Sequence, residues 1–155
     1  MLAEFEGKRP GFELITKSMV LKVLALLGRE ATEETMTTAY RTQHKNDVYR
    51  EAILKVIHFM EMNYMENIYL EDAVKISLLN HTYFSQWFKR ITNKSFSQYL
   101  NELRVAQAKE MLIHSDHKML QICISAGFNN LTHFNRTFKQ LTAMTPKQYR
   151  AEYQS

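Results

Sequence analysis

The feature that most constrains the fold is an internal repeat with an offset of fifty residues. The stretch FSQWFKRITNKSFSQYL begins at Phe84, and the related stretch FNRTFKQLTAMTPKQYR begins at Phe134. Over the aligned segments 83–103 and 133–153, seven of twenty-one positions carry the same residue. The identical pairs are Phe84/Phe134, Phe88/Phe138, Lys89/Lys139, Thr92/Thr142, Gln98/Gln148, Tyr99/Tyr149 and Glu102/Glu152. Shared apolar and aromatic positions at one fixed offset indicate a small structural unit that occurs twice.

The composition favours helices as the building blocks of this unit. The 155 residues include four glycines and two prolines, and 45% of them are apolar. Leu, Met, Lys, Glu and Gln are frequent, whereas runs of β-branched residues are sparse, which favours helix over sheet. The length suits one ordinary domain, or a small domain with an appended segment. We therefore predict an all-α fold.

The first 46 residues are predicted to lie outside the domain. Segment 12–27, FELITKSMVLKVLALL, is apolar over most of its helical surface, and Gly28 is a natural helix terminator. The polar, threonine-rich segment 29–46 lacks helical periodicity, which favours a linker or mobile loop. We therefore predict a boundary between 1–46 and 47–155, with Asp47 as the N-cap of the first domain helix.

Several features predict a soluble, cytoplasmic protein without a membrane partner. The N-terminus carries acids and lacks a basic region followed by an apolar core, so no secretory signal is predicted. Glu13, Lys17 and Lys22 interrupt the most apolar run, which is too short and too charged to cross a bilayer. The single cysteine, Cys123, is predicted to be a small core residue in a reducing compartment.

Seven helices are predicted within the domain. The first runs from about residue 47 to 65, and six more follow. Short helices at 70–77 and 81–91, joined by about three residues, form a first helix-turn-helix. A long helix at about 96–113 leads to a second helix-turn-helix at about 118–141, with Asp116 as its N-cap and Gly127 at its turn. Pro146 opens the last helix.

The second helix of each motif is predicted to have a buried face and a polar outer face. The residues expected to point inward are Phe84, Trp87, Phe88, Ile91, Phe134, Thr137, Phe138 and Leu141. A helix with a polar outer face fits the DNA major groove, and the charge distribution supports such a partner. Residues 81–150 carry ten Lys/Arg against three acids, whereas residues 1–80 carry ten against twelve. The alternative interpretation is a solvated basic face.

The outward side chains divide into candidates for base contacts and candidates for phosphate contacts. The candidates for base contacts are His81, Thr82, Ser85, Gln86, Leu131, Thr132, Asn135 and Arg136. The candidates for phosphate contacts are Lys89, Lys94, Arg104, Lys139 and Lys147. Arg136 suits a bidentate contact with guanine, and Gln86 and Asn135 suit adenine. The residues suited to a thymine methyl group are Thr82, Leu131 and Thr132.

The amino-acid sequences of two segments resemble those of the DNA-binding domains of AraC/XylS-type transcription regulators. These are IYLEDAVKISLLNHTYFSQWFKRITNKSFSQYLNELRVAQAKEMLI and ICISAGFNNLTHFNRTFKQLTAMTPKQYR, within residues 50–150. The resemblance implies a seven-helix domain whose long middle helix holds two recognition helices in successive major grooves, roughly 34 Å apart along the duplex. It implies double-stranded DNA as the partner, with RNA polymerase as a second candidate. Family members often carry a sensor and dimerisation domain, so a homodimer or such a domain is the candidate partner of Phe12 to Leu27. The alternative is that this helix folds back onto its own domain.

Two departures from the family pattern lie in the first motif. Leu78 stands where the family's turn usually has a glycine, and Val74 stands where a small alanine is usual, with Ala73 beside it. Gly127 and Cys123 keep the family pattern in the second motif. We therefore expect the first motif to pack differently or to bind more weakly.

No enzymatic activity, cofactor or metal site is predicted. The sequence lacks G-x-x-x-x-G-K-[ST], G-x-S-x-G and H-E-x-x-H motifs. His114 and His117 form an H-x-x-H pair, but it spans a predicted turn and has no third ligand in register. The alternative function is a helical protein-interaction adaptor that has kept the fold and lost DNA binding.

Overall fold

The computed structural model describes residues 12–154, with side-chain environments for residues 17–26, 28 and 39–154. The described chain is all-α, as predicted, and falls into two compact units that meet between Asn46 and Asp47. Its helices are α1 (Phe12–Asn63), α2 (Leu70–Ser77), α3 (His81–Thr92), α4 (Phe96–His114), α5 (Met119–Ser125), α6 (Leu131–Thr142) and α7 (Pro146–Tyr153). None of these helices is long and apolar enough to span a bilayer.

Helix α1 corrects the predicted linker. Residues 28–46 are helical, so the predicted stop at Gly28 and the predicted N-cap at Asp47 are both wrong. More than half of residues 29–46 are good helix formers such as Glu, Ala, Arg and Gln, and the segment contains neither glycine nor proline. One glycine inside a helix costs about 1 kcal/mol, which is too little to end a helix by itself. The segment is therefore helical without amphipathic periodicity.

The first of two apolar clusters in the domain surrounds the buried faces of α1 and α3. Ile53, Val56 and Met60 of α1 are fully buried, and their spacing of three and four residues places them on one face of the helix. They belong to one cluster with Phe84 and Phe88, whose rings lie 5.4 Å apart. This cluster fixes the orientation of α3, because both phenylalanines are anchored on its inner side.

The second apolar cluster surrounds α6. Its α4 and α5 members are Val105, Ala108, Leu112, Ile122 and Cys123. Phe134 and Phe138 of α6 are fully buried there, with ring centroids 5.7 Å apart. The thiol of Cys123 lies 3.7 Å from the carbonyl oxygen of Phe128, and burial raises its pKa. Cys123 is thus the small core residue that the sequence predicted.

Helix boundaries after α1 agree with the predictions to within a few residues, although the predicted N-cap of α5 is wrong. Lys118, not Asp116, is the N-cap of α5. The carboxylate of Asp116 accepts a hydrogen bond from Nε2 of Gln154 at 2.9 Å instead. Pro146 occupies the first turn of α7, as predicted. The arrangement of two helix-turn-helix motifs, α2–α3 and α5–α6, joined by the long α4 is confirmed.

Candidate nucleic-acid interface

The two candidate recognition helices, α3 and α6, begin with the same cap. The side chain of Asn80 accepts a hydrogen bond from the Tyr83 amide at 2.9 Å, and Asn130 accepts one from the His133 amide at 2.8 Å. Asparagine is a favoured N-cap because its side-chain oxygen satisfies an unpaired amide of the first turn. Asn80 and Asn130 are themselves fifty residues apart, so the repeat extends further upstream than the aligned segments.

The same helices also end in the same way. The Thr92 hydroxyl donates to the Phe88 carbonyl at 2.7 Å, and the Thr142 hydroxyl donates to the Phe138 carbonyl at 2.8 Å. The following residue is left-handed in both motifs, with φ of 58° at Asn93 and 63° at Ala143. The shared threonines of the repeat therefore close two equivalent helix ends.

The helix after each recognition helix starts with a capping box. Ser95 and Gln98 exchange side-chain-to-backbone hydrogen bonds of 2.9 and 3.3 Å at the start of α4. Thr145 and Gln148 exchange bonds of the same lengths at the start of α7. Two orphan amides are satisfied at each site, which fixes the turn that follows the recognition helix.

The buried faces of α3 and α6 follow the predicted spacing with one exception. Phe84 and Phe88 are buried in α3, and the corresponding phenylalanines and Thr137 are buried in α6. Trp87 is half-buried, with its ring 5.0 Å from that of Tyr49 and the Arg90 guanidinium stacked at 4.7 Å. Leu141, predicted to point inward, is 43% exposed. It lines a cleft beside α6 instead of the core.

Most of the predicted base-contacting residues are exposed on the outer faces of these helices. The exposed members are His81, Thr82, Ser85, Gln86, Thr132, Asn135 and Arg136. Leu131 is half-buried and packs against the second apolar cluster, so less of its surface is accessible to DNA. Gln86 and Arg136 occupy equivalent positions of the repeat, because their numbers differ by fifty.

The predicted phosphate contacts divide into three groups. Lys89, Lys139 and Lys147 are exposed. Lys94 is half-buried and forms an ion pair with Glu102, which offsets its charge. The prediction for Arg104 is wrong, because its side chain is 9% exposed and serves the domain interior.

Arg104 joins the loop after α1 to the turn of the second motif. Its Nε donates to the Tyr64 carbonyl at 2.9 Å, and its Nη2 donates to the Glu66 carbonyl at 2.7 Å. The guanidinium carbon lies 5.9 Å from the centroid of the Phe128 ring, and burial lowers the pKa of the side chain. A planar group with several fixed donors suits this role because it binds two backbone carbonyls at once.

The turns of the two motifs use different residues in the left-handed conformation. Leu78 has φ of 55° and is 91% exposed, whereas Gly127 has φ of 86° and is buried. Ala73 is fully buried, as is Cys123 fifty residues later, while Val74 is half-buried. The small residue of the first motif is therefore Ala73, and the assignment of that position to Val74 is wrong.

The described side chains were compared with the H-x-x-H motif and with the ligand sets that metal ions require. Among residues whose side chains are described, no group of three or more His, Cys, Asp or Glu side chains is arranged to hold a metal ion. In the H-x-x-H pair, His114 faces Glu110 across a surface contact of 3.5 Å between Nε2 and a carboxylate oxygen. The exposed faces of α3 and α6 carry amides, hydroxyls, cations and the imidazole of His81.

Two helix-turn-helix motifs held on one connecting helix, each with a polar outer face, define a helix-turn-helix DNA-binding domain. A family model described as a helix-turn-helix domain matches residues 75–152, about half of the chain. The chain belongs to the AraC/XylS-type family of helix-turn-helix DNA-binding domains, as the resemblance implied.

Curated relatives of the chain are regulatory proteins. The melibiose operon regulatory protein of Escherichia coli (strain K12) is 30% identical over 135 residues, which cover 85% of this chain and 44% of that protein. Regulatory protein PocR of Salmonella typhimurium is 28% identical over 123 residues, which cover 79% of this chain and 39% of that protein. The chain thus spans less than half the length of these relatives.

Solved structures share the fold of the domain. The C-terminal domain of the two-component response regulator yesN from Fusobacterium nucleatum is 29% identical, with a TM-score of 0.59 and coverage of 61% of this chain and 93% of that one. The DNA-binding domain of the global transcriptional factor AdpA, solved with a target DNA, is 23% identical. Its TM-score is 0.63, with coverage of 65% and 91%. The second likeness establishes the fold alone.

Proposed function

We propose that the chain is a sequence-specific DNA-binding transcription regulator, with α3 and α6 in successive major grooves of one duplex. The observation that carries this proposal is the repeated construction of the two helices. Each helix has an asparagine cap, two buried phenylalanines and an exposed polar face with Gln86 or Arg136 at the same position. Membership of a DNA-binding family and the names of the curated relatives support DNA as ligand and transcription as the process.

Base discrimination is proposed to come from the exposed outer faces. Arg136 carries the two parallel donors needed for a bidentate contact with guanine, and Gln86 and Asn135 carry the donor and acceptor pair that adenine requires. The further candidates are His81, Thr82, Ser85 and Thr132. Three or four contacts per recognition helix are typical, so not every member of this set needs to touch a base.

Affinity is proposed to come largely from exposed lysines near phosphates. Lys89 and Lys139 occupy equivalent positions near the ends of α3 and α6, and Lys147 lies in the first turn of α7. Each phosphate contact of this kind releases counterions, so binding should weaken steeply with salt. The logarithm of the association constant should fall by about 0.9 per contact for each tenfold rise in salt.

A titration of fluorescent duplex with the chain tests this function. Selection from a random pool first identifies a preferred duplex, and binding to that duplex and to random DNA is then measured at two salt concentrations. We expect strong, salt-dependent binding to both and tighter binding to the selected duplex. Absence of binding at low salt would instead favour the protein-interaction adaptor, which the family comparisons do not favour.

Residues of α1 before the domain are proposed to contact a second copy of the chain. Met19, Val20, Leu21, Val23, Leu24 and Leu26 are each more than half exposed. A cluster of exposed apolar residues on a helix is typical of a protein contact. Sedimentation of the wild-type chain and of Leu24→Asp tests the proposal, with self-association expected only for the wild type. A monomeric wild type would point instead to a sensor domain as the partner.

RNA polymerase is proposed as a further partner, because a regulator bound near a promoter acts by changing polymerase recruitment or progress. Transcription from a template that carries the selected duplex upstream of a promoter, with and without the chain, tests this proposal. The direction of the change distinguishes an activator from a repressor. A cytoplasmic location agrees with chromosomal DNA as the proposed ligand.

A further inference from the structure

A cleft of about 350 Å³ lies between α6 and the junction of α3 with α4. The wall from the first motif and α4 is formed by Asn93, Lys94, Gln98, Asn101 and Glu102. The wall from α6 includes His133, Arg136 and Gln140. The volume is at the lower end of the roughly 300–1,000 Å³ range of ligand sites, so it accommodates a group the size of a nucleotide portion.

A related concavity at the end of the second motif provides an internal comparison. It is lined by Ala143, Met144, Gln148, Ala151 and Glu152. Every one of these positions is fifty residues after a residue of the first wall. The glutamine and the glutamate are the same in both places. The remaining positions differ. The cleft has Asn93, Lys94 and Asn101, whereas the concavity at the end of the second motif has Ala143, Met144 and Ala151.

The chemistry of this difference suits a phosphate group. Asn and Gln side chains each carry two N–H donors, and phosphate oxygens in protein–DNA complexes accept from amides as well as from Arg and Lys. The cleft is lined by the cations Lys94 and Arg136 and by one carboxylate, Glu102, so the lining is net positive. The ion pair between Lys94 and Glu102 offsets part of that attraction. Neutral amide side chains nevertheless outnumber cationic side chains in the lining, with Asn93, Gln98, Asn101 and Gln140 against Lys94 and Arg136.

The position of the cleft agrees with this chemistry. It lies beside both candidate recognition helices, and Arg136 belongs to the exposed face of α6 as well as to the cleft wall. If α3 and α6 occupy successive major grooves, the backbone between those grooves faces the part of the protein that separates the two helices. We propose that the cleft binds a phosphodiester group of this intervening backbone. The inference rests on the proposed function.

The first test removes an amide from the cleft by copying the second motif. Asn101→Ala introduces the residue found at the equivalent position, Ala151. We expect roughly a tenfold or greater loss of affinity for the selected and the random duplex alike, because one hydrogen bond to a charged group is lost. The salt dependence should stay unchanged, because a neutral amide releases no counterion. Ala151→Asn is the matched control, and we expect it to change affinity by less than about twofold. Thermal unfolding verifies that both variants are folded.

The second test should increase affinity. Glu102→Gln removes the partner of Lys94, so that Lys94 becomes available to the phosphate. We expect about a two- to fivefold gain at low salt and a salt slope steeper by up to about 0.9. Glu152→Gln is the matched control, because it makes the same change in net charge at a concavity that has Met144 instead of a lysine. We expect a smaller gain in that control.

The third test identifies the ligand atom. Single phosphates of the selected duplex are replaced by neutral methylphosphonates, and a replacement between the two grooves should weaken the wild type and Glu102→Gln. The same replacement should have little further effect on Asn101→Ala. An equal loss in Asn101→Ala would overturn the contact between the cleft and that phosphate.

The outcomes separate failure of this inference from failure of the proposed function. A wild type that binds no duplex at low salt contradicts the proposed function itself. A wild type that binds normally, with Asn101→Ala indistinguishable from it or with equal gains in Glu102→Gln and Glu152→Gln, overturns the cleft proposal alone. A loss in Asn101→Ala that depends on the central base pairs would indicate contact with base edges and would also overturn it.

Discussion

The first and second helix-turn-helix motifs share the parts that position a recognition helix and differ in the turn before it. Asparagine caps, closing threonines, capping boxes and buried phenylalanines recur at an offset of fifty. The left-handed turn residue is an exposed leucine, Leu78, in the first motif and a buried glycine, Gly127, in the second. The scaffold is therefore duplicated, whereas each turn is adapted to its own surroundings.

The surroundings explain why the second turn needs glycine and the first does not. A Cβ atom on Gly127 would lie 2.2 Å from the Tyr64 carbonyl oxygen and 2.8 Å from Nε of Arg104. Leu78 has only the intrinsic cost of its conformation, about 1–2 kcal/mol, because its side chain is 91% exposed. A turn glycine in this fold can thus be required because a neighbour packs too closely for a side chain, as at Gly127. At a position such as Leu78, glycine would only be preferred because it adopts a positive φ without strain.

The largest expected effect concerns Gly127. Gly127→Ala should reduce the free energy of unfolding by at least about 3 kcal/mol, because the added methyl group meets a backbone carbonyl in a left-handed residue. Urea denaturation followed by circular dichroism measures the change. A loss below about 1 kcal/mol would mean that the loop after α1 moves aside easily, and the contrast between the two turns would disappear.

The next effect concerns the arginine that makes the second turn crowded. Arg104→Met should cost about 2–4 kcal/mol of stability, because two carbonyl oxygens lose their donors while the packing volume is largely kept. Binding of the folded variant to random duplex should keep the wild-type salt slope. Lys139→Ala is the reference, with an expected reduction of the slope by about 0.9. An equal reduction for Arg104→Met would restore the phosphate role that its burial argues against.

The third prediction compares equivalent positions of the two recognition helices. Arg136→Ala should cost roughly 1–3 kcal/mol of binding free energy on the selected duplex and relax the preference at one base pair. Gln86→Ala should cost less binding free energy. The first motif has a neutral glutamine at the position where the second motif has the charged Arg136, and hydrogen bonds from neutral donors are weaker. Competition with duplexes substituted at single base pairs measures both effects. Equal losses on selected and random DNA would make Arg136 a phosphate contact.

The smallest effect should be a gain in stability at the first turn. Leu78→Gly relieves the left-handed strain but adds freedom to the unfolded chain, so we expect a net gain of about 0.5–1 kcal/mol. Leu78→Ala is the matched control and should be nearly neutral, because it keeps Cβ and removes only an exposed side chain. Thermal unfolding of the three proteins measures the differences. Destabilisation by glycine would show that the leucine side chain supports the turn.

The spacing of apolar residues was sufficient to predict the helices of the domain, because the inner faces of those helices are strongly apolar. The spacing of Phe84 with Phe88 and of Phe134 with Phe138 predicted both recognition helices and their buried sides. It failed for residues 29–46, where α1 has no amphipathic pattern and helix propensity was the better guide. It also failed for Leu141, whose sequence spacing points inward although a cleft replaces the core at that point.

The candidate interface was only partly predictable. Exposure of Gln86, Asn135 and Arg136 follows from the helical period alone. The cleft residues Asn93, Asn101 and Gln140 were missed, because they lie on different helices and share no local pattern. Comparison of the two repeats at an offset of fifty contained a signal, since polar residues at 93 and 101 correspond to alanines at 143 and 151.

The sequence by itself determined the duplication, which is visible as an offset of fifty residues. It also determined the helical class and the outward chemistry of the two recognition helices, because these depend on residues three, four or seven apart. Only the tertiary structure decided that Arg104 serves two backbone carbonyls and that Gly127 has no room for a side chain. Those properties depend on residues about forty and sixty positions away along the chain, whose approach is set by packing and leaves no trace in local spacing.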